Sequence, residues 1–233
     1  MLIGVALALW LRENARALAA GIGFPVGIMV LVSVLELLPE SIRAIGLGPT
    51  LGTATAGAAF VWAANLVIPH THLVVEGGLV DARLVRAAHL VALGLILHDV
   101  PEGFAMANAY VASPALGVLV ALAIALHNVP EEFAMAVPLV MLRSKASLYG
   151  AAALSALAEP AGALIGLAAV GTVPSLNGHF LALAAGAMLF ISVHELVPMA
   201  KRYGHRGAFF WGTGLSALVY SSLAALTARL ASP

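Results

Sequence analysis

Two pairs of histidine and glutamate are the residues of this sequence best suited to chemistry. His98 precedes Glu102 by four residues, and His127 precedes Glu131 by the same interval. Residues four apart lie on one face of an α-helix, so each pair can converge on one point. An imidazole and a carboxylate together suit borderline divalent metals such as zinc, iron and cobalt. The spacing therefore predicts a metal site shared by two helices.

Three further polar side chains extend this site. Asp99 and Asn128 each follow a histidine of the pairs, and each lies three residues before a glutamate, which makes them neighbours on a helix surface. Glu159 adds a carboxylate in a later apolar segment. With the two glutamates of the pairs, Asp99 and Glu159 supply four negative charges, enough to offset two divalent cations. A two-metal centre is therefore expected.

The helices that position these residues are expected to cross a membrane. Of the 233 residues, 62% are hydrophobic and 9% are charged, whereas a soluble domain is about half apolar and about a quarter charged. A helix needs about 20 mostly apolar residues to cross a bilayer. We therefore predict an all-α polytopic membrane protein, a single transmembrane domain over residues 1–233. Its eight transmembrane helices are expected at about 1–12, 17–38, 51–69, 88–110, 115–141, 147–170, 179–200 and 207–230. The first of these is too short to cross alone, so it is a short first span, an interfacial helix or the remnant of a mis-assigned start.

The composition excludes several kinds of site. The chain has no cysteine, which rules out disulfides, thiolate metal sites and thiol nucleophiles. Its 11 basic and 11 acidic residues balance, which argues against a nucleic-acid partner. A charged side chain inside a bilayer costs roughly 2.5–3.5 kcal/mol on insertion scales, and no lysine or arginine lies deep in a predicted span. Metal, water or protons must compensate for the carboxylates, and the imidazoles favour metal.

Two internal repeats organise the predicted spans. Residues 90–107 match residues 119–136 at 13 of 18 positions, and residues 27–39 match residues 186–198 at 7 of 13. The two copies of each repeat fall in spans that run in opposite directions. The pattern predicts a 3+2+3 arrangement with inverted repeats, in which a central helix pair lies between two inverted groups of three. Many secondary transporters place a site at mid-membrane in this way.

The basic residues predict the orientation of the chain. Nine of the 11 fall in loops on one face, and only Arg43 and Arg229 fall on the other. Cytoplasmic loops carry an excess of Lys and Arg, so the face with nine basic residues is expected in the cytoplasm. With eight spans, both termini then lie outside.

Some residues allow two interpretations from sequence alone. Glu159 precedes a proline, so it is either a ligand, which we favour, or a helix N-terminal cap. Glu36 and Glu195 lie near predicted span ends, where a carboxylate is either functional or simply solvated or capping. Gly162 and Gly166 form a small-xxx-small pattern that indicates close contact between helices.

The motifs resemble those of the ZIP (Zrt/Irt-like protein) family of metal transporters. HDVPEG at 98–103 and HNVPEE at 127–132 resemble the family's paired signatures in spans 4 and 5. Residues 36–40, 158–160 and 194–198 resemble its motifs in spans 2, 6 and 7. The resemblance covers essentially the whole chain.

The resemblance implies two adjoining metal sites. By motif position, the ligands of the first metal are the two His–Glu pairs and one sulfur: His98, Glu102, His127, Glu131 and Met29. The ligands of the second metal are the three polar residues beside them: Asp99, Asn128 and Glu159. Glu102 or Glu131 would bridge the two metals.

The resemblance also implies an activity and a mechanism. The expected activity is uptake of divalent cations into the cytosol, zinc first and Cd²⁺, Fe²⁺ or Mn²⁺ beside it, with no cofactor and no enzymatic reaction. A bundle of spans 1, 4, 5 and 6 is expected to move like an elevator against spans 2, 3, 7 and 8. The expected location is the inner (plasma) membrane, crossed several times. The expected partners are the metal ion and the lipid bilayer, with a homodimer kept open and no nucleic acid.

Two residues depart from the family pattern. Asp99 stands where the family often has Asn, and Glu132 stands where it often has Gly. These extra carboxylates would shift the preference towards harder ions such as manganese or iron.

A membrane-embedded di-metal enzyme is one alternative function for this chain, although such sites normally use the order Glu-x-x-His. A proton-coupled antiporter without metal is the other.

Overall fold

The described residues of this chain form helices. The computed structural model describes residues 6, 14–67, 96, 99–141 and 145–231. Within these residues all regular elements are helical and no strand occurs. This confirms the all-α class. The predicted span at 1–12, apart from residue 6, and the segment 68–95 lie outside the described residues.

The helices follow one another in the order of the predicted spans. α1 covers Ala15–Val32 and continues through a π-helical segment, Ser33–Leu37, into α2, Leu38–Ile45. α3 covers Leu47–Val67, α4 covers 99–112, and α5 covers Pro114–Met141. α6 covers Lys145–Thr172, and a 3₁₀ turn, Pro174–Leu176, leads into α7, Asn177–Ile191. A second π-helical segment, Ser192–Leu196, leads into α8, Val197–Arg202, and α9 covers Arg206–Ala231.

Within the described ranges, four helical stretches are long and apolar enough to cross a membrane. They are Ala15–Ile45, Ala146–Thr172, Pro174–His194 and Arg206–Arg229. They correspond to the predicted spans 17–38, 147–170, 179–200 and 207–230. The predicted spans 51–69, 88–110 and 115–141 are helical where they are described, as α3, α4 and α5, but are not among the four. The eight-span arrangement therefore stays a prediction.

The outer surface of the helices is apolar. Leu164, Phe210, Trp211 and Leu218 are each 67–81% exposed. Large apolar side chains in water cost about 25 cal/mol per Å² of exposed area, and lipid removes this cost. This surface agrees with a chain that lies in a membrane.

The core surrounds α1, which packs against α5, α7 and α9. Ile22, Ile28 and Met29 of α1 are fully buried, and they share one apolar cluster with Ile124 of α5 and Met188 of α7. Without a hydrophobic driving force between helices in lipid, such contacts depend on close packing. Small residues supply that closeness here.

Glycines lie where the helices of the core come closest to one another. A Cβ atom on Gly23 of α1 would overlap the carbonyl oxygen of Phe209 in α9. A Cβ atom on Gly186 of α7 would likewise overlap the carbonyl oxygen of Ala54 in α3. Backbone thus lies directly on backbone in the pairs α1–α9 and α3–α7.

The two π-helical segments occupy equivalent positions of the second repeat. Ser33–Leu37 and Ser192–Leu196 each cover residues 7 to 11 of their 13-residue copies. In one copy the N–H of Leu38 donates to the carbonyl of Ser33, which is five residues earlier. Val197 makes the same bond to Ser192 in the other copy. The two copies thus share a local backbone irregularity as well as sequence.

A proline follows each π-helical segment without ending the helix. Pro39 and Pro198 are each the second residue of the helix that follows. A proline has no N–H to donate and disturbs the regular ladder before it, and the π-helical turn absorbs this disturbance. The first long helix therefore runs to Ile45, seven residues beyond the predicted end at residue 38.

Candidate metal site

Three helices bring five polar side chains together. They are Asp99 of α4, Asn128 and Glu132 of α5, and Ser155 and Glu159 of α6. Asn128 and Glu132 are four residues apart, and so are Ser155 and Glu159. Each pair therefore lies on one face of its helix, and the two faces meet.

Two hydrogen-bonded contacts, one helical turn apart, join α5 to α6. The amide Nδ2 of Asn128 donates to Oε2 of Glu159 at 3.1 Å. The hydroxyl of Ser155 lies 2.9 Å from Oε1 of Glu132. Residue numbers rise along α5 while they fall along α6, so these two helices are antiparallel. The Asn128 amide holds one oxygen of Glu159 in a fixed position.

Asp99 joins the same group through Ser155. The Ser155 hydroxyl lies 2.6 Å from Oδ2 of Asp99. Asp99, Glu132 and Ser155 are only 7–8% exposed. Neither α4 nor α5 contains a lysine or arginine, and in α6 only the first residue is basic. Buried carboxylates are costly unless a cation accompanies them, so this group is suited to hold one.

The backbones of α4 and α6 lie in close contact beside these carboxylates. A Cβ atom on Gly103 would overlap the carbonyl oxygen of Glu159, and one on Gly162 would overlap that of Val100. The close contact expected of Gly162 and Gly166 is confirmed, since Gly166 meets the side chain of Asn108. The absence of a side chain at Gly103 therefore allows α4 to reach Glu159.

The contacts between α4 and α6 also give their relative direction. They advance together along both helices: Asp99 meets Ser155, Gly103 meets Glu159, and Asn108 meets Gly166. α4 is therefore parallel to α6 and antiparallel to α5. The two copies of the first repeat run in opposite directions through the described residues.

Two other predicted ligands, Glu102 and Met29, are buried. Glu102 is fully buried in α4, three residues after Asp99. Met29 is fully buried in α1, and its Sδ atom lies 3.6 Å from the hydroxyl of Ser192 in the second π-helical segment. Met29 therefore faces the junction of α1 and α7.

The remaining predicted ligands fall outside the description. His98 lies outside the described residues, and so do the side chains of His127 and Glu131, although both residues belong to α5. Among the His, Asp and Glu side chains that the structure does describe, no three are placed to hold a metal. The ligand set of the first metal stays a prediction.

The structure decides two of the alternatives that the sequence left open. Glu159 lies in the interior of α6, so it is not an N-terminal cap. Glu36 lies within the first π-helical segment, half-buried, and accepts a hydrogen bond from the hydroxyl of Tyr220 in α9. Glu36 is therefore neither a cap nor simply solvated. The side chain of Glu195 lies outside the description.

Three residues of this region were missed or only partly recognised from the sequence. Ser155 lies four residues before Glu159, and this spacing could have identified it. Glu132 was noticed only as a departure from the family pattern. Tyr220 carries no sequence signal, because its partner Glu36 lies 184 residues away.

A cavity of about 570 Å³ opens at another place, where α2, α3, α4 and α7 end or begin. Its polar lining includes Glu40, Asn177 and His179. The Nδ1 atom of His179 lies 3.0 Å from the hydroxyl of Thr53. Ala112, which also lines the cavity, is 13 residues along α4 from Asp99, about 20 Å at 1.5 Å per residue. The cavity is thus separate from the group around Asp99.

Known proteins similar to this chain are metal transporters. Residues 70–227 match the family described as ZIP Zinc transporter. The chain is 38% identical to the zinc transporter ZupT of Xanthomonas axonopodis pv. citri, over 90% of this chain and 84% of that protein. It is 36% identical to the zinc transporter ZupT of Chlorobium luteolum, over 95% of this chain and 92% of that protein. The zinc transporter ZupT of Corynebacterium aurimucosum is also 36% identical, over 90% of this chain and 86% of that protein.

Proposed function

We propose, because this chain belongs to the ZIP zinc transporter family, that it carries zinc across a membrane through the site on α4, α5 and α6. One observation carries the proposal: Asn128 bonds to Glu159, and Asp99 bonds to Ser155 one turn before Glu159, on three helices whose interior holds no lysine or arginine. The family is one of transporters, so the di-metal enzyme is set aside. Bound metal also explains the histidines better than protons alone.

The proposed site holds two metal ions. The His–Glu pairs supply imidazole nitrogen and carboxylate oxygen for the first ion, with Met29 beside them. Asp99, Asn128 and Glu159 supply oxygen for the second ion. Glu102 or Glu131 bridges the two ions. The bond from Asn128 to Glu159 supports this arrangement, because it orients a carboxylate that would bind metal.

The proposed direction is uptake into the cytosol across the inner membrane. The excess of basic residues on one face supports this orientation. The cavity lined by Glu40 and His179 then lies at the outer face, where it offers the ion an aqueous approach. With eight spans, both termini lie outside.

The proposed movement is elevator-like, with α4, α5 and α6 sliding against α1, α3, α7 and α9. Close packing within each group supports it: glycines join α4 to α6, α1 to α9, and α3 to α7. The opposite directions of α4 and α5 support the inverted arrangement on which alternating access depends. The contact between α1 and α5 is apolar, so it can slide without breaking polar bonds.

Zinc uptake into proteoliposomes tests the proposed function. Glu159→Gln removes a charge at the site but keeps its shape, and we expect it to lower uptake of radiolabelled zinc by at least about tenfold, the lower end of the range for changes around a metal. Tyr149→Phe is the control on the same helix, because Tyr149 of α6 is 59% exposed and is neither a proposed ligand nor part of the cavity lining. It should leave uptake within about twofold of native.

Each outcome of the uptake assay has a clear meaning. No uptake by the native protein, although it binds zinc, contradicts the transporter proposal. Equal uptake by the native protein and by Glu159→Gln would show that Glu159 of α6 is not needed for zinc transport. Binding should weaken as the pH falls, because protons compete with metal for imidazole and carboxylate ligands.

A further inference from the structure

Glu132 is a buried carboxylate that the proposed ligand set does not use. It is 7% exposed, and its Oε1 atom lies 2.9 Å from the Ser155 hydroxyl. Its second oxygen, Oε2, is fully buried and has no hydrogen-bond partner among the described residues. The Oδ1 atom of Asn128, one turn earlier on α5, is likewise fully buried and has no hydrogen-bond partner among the described residues. Two buried oxygen acceptors on this face of α5 therefore lack a donor in the described part of the chain.

Ser155 cannot satisfy both of the carboxylates that it meets. Its hydroxyl lies 2.6 Å from Asp99 and 2.9 Å from Glu132. A hydroxyl carries one hydrogen, so it donates fully to one acceptor at a time. Two carboxylates are thus held across one oxygen atom in a buried place, where a divalent cation would offset their charge.

Among the described side chains, the atoms that could bind a metal ion here are oxygens. Asp99 and Glu132 supply carboxylates, Ser155 supplies a hydroxyl, and Asn128 supplies an amide oxygen. Oxygen ligands suit harder ions such as Mn²⁺, whereas imidazole suits zinc. The His–Glu pairs and the oxygen group therefore differ in the ion that they favour.

We infer that Glu132, linked to Asp99 through Ser155, is a specificity-determining residue that makes this transporter accept harder divalent cations, with Mn²⁺ as the representative ion. The inference rests on the proposed function, since it concerns the same site. Glu132 either reaches the ion with its free oxygen or positions Asp99 for it. Both roles raise affinity for Mn²⁺ relative to zinc.

Equilibrium binding of Mn²⁺ and of zinc to the purified full chain in detergent tests the inference. Free Mn²⁺ is measured from its electron paramagnetic resonance signal, and zinc from a competing chromophoric chelator. For Glu132→Gln we expect Mn²⁺ affinity to fall by about 10- to 100-fold, the range for residues that support metal ligands, and zinc affinity to fall much less. Tyr149→Phe, at an exposed position of α6, should change neither.

Ser155→Ala tests the same inference with a second variant. It removes the hydroxyl that joins Asp99 to Glu132 but leaves both carboxylates, and it should lower the ratio of Mn²⁺ to zinc affinity in the same direction. It therefore keeps the inference testable if Glu132→Gln does not fold, as judged by gel filtration.

An unchanged ratio of Mn²⁺ to zinc affinity in both variants overturns the inference, as does native protein that binds zinc but no Mn²⁺. Neither result bears on zinc uptake by the native protein, which tests the proposed function separately. A parallel fall for both ions would also overturn it, because a merely structural role of Glu132 has that effect.

Discussion

At the scale of single residues, the hydrogen bond from Tyr220 to Glu36 joins α9 to the first π-helical segment, outside the proposed metal site. Tyr220 is 7% exposed, and its hydroxyl donates to Oε1 of Glu36. A buried acceptor that loses its donor costs about 1–3 kcal/mol. The bond therefore stabilises the contact of α9 with the π-helical segment that follows α1.

Replacing Tyr220 with phenylalanine should destabilise the protein. Tyr220→Phe keeps the ring but removes the donor to Glu36, so we expect a loss of about 1–3 kcal/mol in the free energy of unfolding. Thermal unfolding in detergent measures the effect. Tyr149→Phe is the matched control, because Tyr149 of α6 is 59% exposed, and its change should stay within about 0.5 kcal/mol. Equal melting temperatures for the two variants would show that the bond to Glu36 is not stabilising.

Sequence spacing identified some of these residues and missed others for a physical reason. Asp99 and Asn128 were predicted from helical spacing and duplication, and Glu159 was predicted as a carboxylate in an apolar segment; the structure places them on three neighbouring helices. Ser155 was missed although it lies four residues before Glu159, because serine is common in membrane helices, whereas charged side chains and histidines are rare there. Tyr220 was missed because only the tertiary fold brings it to Glu36. Of the two His–Glu pairs, only the side chain of Glu102 is described, buried in α4, so the role of the pairs stays a prediction.

At the scale of helices, the contact of α4 with α6 depends on the absence of one side chain. The backbone of Gly103 lies against the carbonyl of Glu159, and no Cβ atom fits between them. Backbone atoms cannot move away as a flexible side chain can. An added methyl group must therefore push the two helices apart beside Glu159.

Gly103→Ala should separate α4 from α6. Overpacking of this kind costs about 1–3 kcal/mol, and we expect a lower melting temperature together with weaker zinc binding. Gly150→Ala is the control on the same helix, α6, because no atom lies within 4 Å of the added methyl group. There alanine should be neutral or stabilise by about 0.5–1 kcal/mol, since it lowers the entropy cost of helix formation.

A Gly103→Ala variant with the native melting temperature and the native zinc affinity would contradict the close contact of α4 with α6. A loss of zinc affinity without a loss of stability would instead mean that the helices adjust while Glu159 moves.

Helix ends were harder to predict than helix faces. Apolar length placed the helices close to where they occur, because a bilayer dictates both length and composition. The first long helix continues past Pro39 to Ile45, beyond the span end predicted at residue 38. The π-helical turn before Pro39 accommodates the missing N–H, and no composition rule indicates such a turn.

At the scale of the whole molecule, the proposed movement makes a prediction about two helix contacts. Phe104 of α4 and Phe180 of α7 meet edge to face, with ring centroids 4.8 Å apart. They belong to the two groups that are proposed to slide past each other. Thr53 of α3 and His179 of α7 also touch, at 3.0 Å, but they belong to one group.

Cross-linking should distinguish these two contacts. The chain has no cysteine, so pairs can be introduced without background. Phe104→Cys/Phe180→Cys, joined by a short bifunctional thiol reagent, should lose at least about 90% of its zinc uptake, because each transport cycle requires α4 to move. Reduction of a cleavable linker should restore uptake.

Thr53→Cys/His179→Cys, joined in the same way, should keep the uptake that the same variant shows before cross-linking, because α3 and α7 move together. Full uptake by the linked Phe104/Phe180 pair would mean that zinc passes without a displacement of α4 against α7. The pathway would then resemble a channel more than a carrier.

The shared π-helical segments determine which way the ends of two long helices face. A π-helical turn accommodates one residue more than an α-helical turn. The side chains beyond it are therefore rotated by about 100°, the angle of one residue in an α-helix, from where an uninterrupted helix would place them. Both copies contain this turn at the same position, so α2 and α8 are rotated in the same sense relative to α1 and α7.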